Sequence, residues 1–223
     1  TPSGESVAMR DHLARVQASY LEQGRLRTDT APKDAPFTAR QLAENFLRIA
    51  FYDEFTEVNG RLTARRSESR LRRWEIPIRM QITFGPTVPP GQQLADRNEI
   101  AHFVRRLSLL TGLPISTTDR SAVANFHVLV LAEDERRAAG PLLKELSPQM
   151  DPVALRSITE MPRTTYCTVV ALSPPASDAY IQAVAVIRSE HPDRLRLSCF
   201  HEELAQAMGL ANESPAARPS IFN

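Results

Sequence analysis

Apolar residues recur along this chain in two rhythms, one near 3.6 and one of 2, and their order predicts mixed helices and strands. Residues 5–26 carry a thin stripe of Leu13, Val16, Tyr20 and Leu21, the pattern of a polar helix laid on a surface. Residues 28–37, with Asp29, Pro32, Asp34 and Pro36, read as a linker. Thr38 and Gln41 then form a capping box, and Leu42, Phe46, Ile49 and Ala50 mark the apolar face of a second helix. Alternation at Ile76, Ile78, Met80, Ile82 and Phe84 predicts a strand, which Pro77 starts or edges. Pro86, Pro89, Pro90 and Gly91 read as a loop. Asp96 and Glu99 open a helix whose buried face is Ile100, Phe103, Val104, Leu107 and Leu110, and Gly112 stops it.

The run 126–131 reads as a buried strand, and a charged helical stretch follows near 133–146. Residues 168–172 and 181–187 are two more strands. The short connection at 173–178 predicts an antiparallel pair. A last helix is expected over 198–209. The expected fold is α+β, helices packed on one mixed sheet, with an N-terminal helix and linker at 1–37 and the main domain at 38–223.

Composition narrows the classes. Hydrophobic residues are 42% and the net charge is +1, so the molecule as a whole is not built to bind a polyanion. No apolar run reaches the roughly 18 residues of a membrane span. Arg61, Arg65, Arg66, Arg70, Arg72 and Arg73 could meet an anionic surface, but Ser67 and Glu68 among them suit a solvated segment. His127 reads as a hydrogen-bonded core histidine, His102 as partly exposed, and His191 as a turn residue before Pro192. Cys167 and Cys199 are either two buried thiols or one bridge; spacing does not decide between them.

The chemistry concentrates near the C-terminus. A zinc-peptidase helix carries two ligands at i and i+4 on one face, a glutamate after the first, and in one large group a glycine three residues past the second. With Gly209 as that glycine, the ligand positions are Glu202, Gln206 and Asn212, and the catalytic position is Glu203. Every histidine of the pattern is replaced. Shifting the frame to His201 puts Ala205 at i+4, which cannot bind metal. One carboxylate and two amides make a poor zinc site, so no zinc and no other cofactor is expected. The three residues are expected to form a polar cluster that holds the loop at Asn212 to the helix.

These residues, with 36–46, 71–75, 124–130, Tyr166-Cys167, 183–193 and 199–223, resemble a bacterial family catalogued as domain of unknown function 2927. The resemblance implies a zincin-like, metzincin-like fold and a proteobacterial envelope setting, with an exported or lipid-anchored precursor. It also implies a Cys167–Cys199 disulfide. Similar chains continue past residue 223 with an acidic stretch and a further helix. The resemblance implies no activity. A non-catalytic role, a pseudoenzyme binding a protein or peptide beside the degenerate helix, is the expectation. An atypical hydrolase using Glu203 as general base is the alternative.

Overall fold

A computed structural model of the chain describes residues 1–26, 36–218 and 220–222. Most of the expected linker at 28–37 lies outside the described residues. The architecture is α+β. Its centre is a five-stranded sheet ordered β5-β4-β6-β9-β7. The strands are β4 (Ile78–Phe84), β5 (Ile115–Thr117), β6 (Phe126–Leu131), β7 (Cys167–Leu172) and β9 (Gln182–Arg188). Strands β5, β4, β6 and β9 run parallel, and β7 closes one edge antiparallel to β9, with Cys167 opposite Ile187 and Leu172 opposite Gln182.

Both faces of this sheet are covered, which is why β6 and β9 read as continuous apolar runs rather than alternations. Phe126, Val128, Val130, Ala183, Ala185 and Ile187 share one core with α3 (Pro90–Thr111) and α7 (Asp193–Gln206). Leu129, Leu131, Val184 and Val186 point the other way, into a core with α5 (Gly140–Leu146) and α6 (Pro152–Thr159). The antiparallel β7–β9 pair expected from the short connection is present. So is the Thr38–Gln41 capping box, which starts α2 (Ala39–Ala50).

Other elements differ from the periodicity. Leu42 and Phe46 are exposed on α2, which buries Asn45, Ile49 and Ala50 instead. Leu110 is exposed as well, and so is Ile76, because β4 begins after Pro77. Asp96 does not open α3: Pro90 sits at its first turn, and Asp96 is buried mid-helix, bonded to Arg196 of α7 at 2.7 Å. The charged stretch 133–146 divides into α4 (Glu133–Arg137) and α5. The arginine-rich segment is solvated as expected, with Arg61, Arg65, Arg66, Arg70 and Arg73 exposed, but it is largely regular. It belongs to a hairpin of β1 (Tyr52–Val58) and β2 (Arg61–Glu68), turning at Asn59 and Gly60, both with positive φ.

Helix α1 (Gly4–Glu22) buries Ser6, Met9 and Leu13. Ser6 donates to Glu190, whose carboxylate also accepts from the Glu133 amide. Glu133 in turn pairs with the buried guanidiniums of Arg136 and Arg188. Arg188 further donates to the Met161 and Pro162 carbonyls. This buried ionic network, joining α1, α4, β9 and the chain after α6, has no counterpart in the sequence reading.

Candidate functional site

Helix α7 starts at Asp193, earlier than the apolar pattern implied, because its charged first turns are paired: Arg196 bonds Asp96 and Asp193. Phe200, Leu204 and Ala205 face the core. Glu202, Glu203 and Gln206 face a cavity of about 890 Å³. Its other walls come from β7, the β1–β2 hairpin, α6, and Tyr20 and Leu26 near the end of α1. His201 lies on another side of α7 and stacks on Phe103 of α3, ring centroids 4.3 Å apart.

Two constraints fix the end of this helix. Gly209 has φ 107, and a Cβ there would stand 2.1 Å from the Arg72 carbonyl oxygen, so only glycine lets β3 (Arg73–Trp74) approach. Trp74 then donates its indole N–H to the Ala207 carbonyl at 2.8 Å. The glycine needed by the degenerate frame is thus needed sterically as well. Asn212 behaves differently from the expectation. It is buried, but its side chain donates to the Arg48 carbonyl at 2.8 Å and its amide to Ile49, so it holds the loop to the end of α2, not to α7.

Two carboxylates that the sequence reading missed face the same cavity: Glu54 on β1 and Glu213 beyond α7. Burial pushes the Glu202 carboxyl up to about 10, helped first by Glu213 and then by the charges of Glu203 and Glu54. Burial, with Glu213 beside it, raises Glu54 to about 7. Glu203 is raised well above the ordinary carboxylate range, by burial first and then by Glu213 and Glu54. Its Oε2 is buried with no hydrogen-bond partner, while the side chain is only 4% exposed. The signal that could have revealed Glu54 was the Asn59-Gly60 turn, which predicts a hairpin and hence a strand through residue 54. Nothing in sequence links Glu213 to Glu202.

Cys167 and Cys199 form a disulfide with Cα atoms 5.9 Å apart, joining β7 to α7 along the cavity wall. Ligand atoms of Cys167, Glu202 and Glu203 lie within 4.8 Å of one another, but that sulfur is spent in the bridge. His191 is buried nearby, its Nε2 2.9 Å from the Tyr166 carbonyl, and burial lowers it to about 4. His127 is buried in β6, and its Nδ1 has no partner, so the expected hydrogen bond is not seen there. His102 is exposed on α3.

The six arginines do not form one patch. Arg72 is held by Asp53 at 2.8 and 3.0 Å, Arg66 stacks on the Tyr52 ring, and Arg73 pairs with Glu75. Arg61 lines the cavity. Among the described residues, no helix is long and apolar enough to cross a membrane.

Residues 39–223 match the model of a family described as protein of unknown function (DUF2927). The chain belongs to that family. No curated protein and no solved structure matches it. The DUF2927 match takes in Glu54, Glu202, Glu203, Glu213 and both cysteines. It begins after α1, although Tyr20 of α1 lines the cavity and meets Tyr166 edge-on.

Proposed function

We propose that this chain is a non-catalytic, zincin-like binding protein of the cell envelope that holds a polypeptide partner in the cleft beside α7. The zincin-like reading is supported by a mixed sheet whose antiparallel edge strand lies next to a helix ending at an obligatory glycine. Zinc does not fit the donors. Glu202 and Gln206 reach the cleft, but the Asn212 amide is committed to the Arg48 carbonyl, leaving one carboxylate and one neutral amide. That divergence of the three ligand positions is the observation that carries the reading. The free edge of β7 along the cleft supports an extended peptide as ligand, since unpaired N–H and C=O groups there suit strand addition. The disulfide supports an oxidising compartment, hence periplasm or envelope and an exported precursor.

An atypical hydrolase is the second reading, and the raised Glu202 carboxyl, set in one cavity with Glu54, Glu203 and Glu213, favours it as a general acid. Burial, then Glu213 and Glu54, raise the Glu203 carboxyl, which favours its protonated form over the general-base role. Metal analysis of the purified full chain, with peptidase and amidase assays, tests both. The expected result is no stoichiometric metal and no turnover. Bound metal lost in Glu202→Ala, or hydrolysis lost in Glu203→Gln, would overturn the non-catalytic reading.

A further inference from the structure

Glu54, Glu202, Glu203 and Glu213, from three parts of the chain, line one cavity, whose walls also carry Asp53, Asp151 and Glu160. A buried carboxyl oxygen without a partner is costly, and Glu203 Oε2 is one, on a side chain 4% exposed. Of the three arginines in the cavity lining, Arg72 is taken by Asp53, Arg156 donates to the Gly60 carbonyl, and Arg61 is exposed on β2, and none of them bonds Glu203. The cluster is therefore built to receive positive charge from outside.

We propose that it recognises the charged side chain of an arginine or lysine in a polypeptide lying extended along β7. This rests on the peptide-binding reading above and names its ligand. A metal ion fits less well. Calcium takes six to eight oxygens at about 2.3–2.6 Å, whereas the ligand atoms within 4.8 Å of one another are those of Glu202, Glu203 and a sulfur already spent in the disulfide. A guanidinium carries five donors in a fork and can serve several carboxylates at longer range. Phe55, Leu62 and Val169 in the cavity wall give its aliphatic stem an apolar path. The β7 edge would hold the backbone, and the acids would select the side chain.

The test uses the full chain and four fluorescent pools of capped octapeptides, randomised except for a central arginine, lysine, citrulline or glutamate. Citrulline keeps the shape of arginine and lacks the charge. Polarisation titrations should show the arginine and lysine pools binding at least tenfold tighter than the citrulline pool, with glutamate weakest. Glu202→Gln and Glu213→Gln, checked for folding by circular dichroism, should erase that preference; Glu54→Gln substitutes if either fails to fold. Equal binding of all four pools would overturn this inference and leave the peptide cleft standing. No binding by any pool would overturn both. Tight calcium binding that depends on Glu202, with the pools indifferent, would reassign the cluster to a metal ion.

Discussion

Replacing Glu202 by glutamine should make the protein more stable at neutral pH, not less. The folded Glu202 carboxyl keeps its proton up to about 10, while in the unfolded chain it ionises near 4.5. A raised folded value means full stability below 4.5 and a loss that grows as pH rises toward the folded value. Each pH interval costs about 1.4 kcal/mol, so by pH 7 the wild type forgoes about 3 kcal/mol. Partial exposure of the side chain screens this to about 1–3 kcal/mol. Glutamine keeps the shape but cannot ionise. Urea denaturation from pH 4 to 8 reads the effect directly. The wild type should weaken as pH rises, and Glu202→Gln should follow a flatter curve. The two should nearly coincide at pH 4 and separate by about 1–3 kcal/mol at pH 7. Parallel curves across that range would refute the burial argument for the whole acid cluster.

Gly209→Ala should cost about 3 kcal/mol or more in the same assay, because the new methyl meets the Arg72 carbonyl and the backbone has φ 107. Reducing the Cys167–Cys199 bridge, which spans 32 residues, should lower stability by about 3–4 kcal/mol, seen as a drop in melting temperature with dithiothreitol. Arg188→Met removes one of the two buried guanidiniums that pair with Glu133 and leaves the Met161 and Pro162 carbonyls without that donor, and should cost about 3–5 kcal/mol; an unchanged melting temperature would mean the network is not as described.

Local pattern carried the centre of the fold and failed at its rim. The strands at 126–131 and 182–188 are apolar on both faces, and so were legible without knowing their partners. The hairpin of β1 and β2 was not, because Arg61, Arg65 and Arg66 look like solvated charge until Tyr52 and the cleft are set against them. The true start of α7 was hidden for a similar reason: Arg196 reads as surface until Asp96, a hundred residues away, neutralises it. Asp151 caps α6 through two amide bonds just before Pro152, a start signal present in the sequence and passed over. At the site, helical spacing set Glu202, Glu203 and Gln206 together. It could not show that Asn212 turns to α2, or that Glu54 and Glu213 complete the cluster, since those meetings are tertiary.

The sulfur bridge has a mechanical consequence for the cleft. With Cys167 and Cys199 stapled, the edge strand and the acid-bearing helix travel as one jaw and cannot part. Any widening to admit a bulky guest falls to the opposite jaw, the β1–β2 ribbon, whose fastenings include the Arg72–Asp53 pair and the Arg156–Gly60 bond.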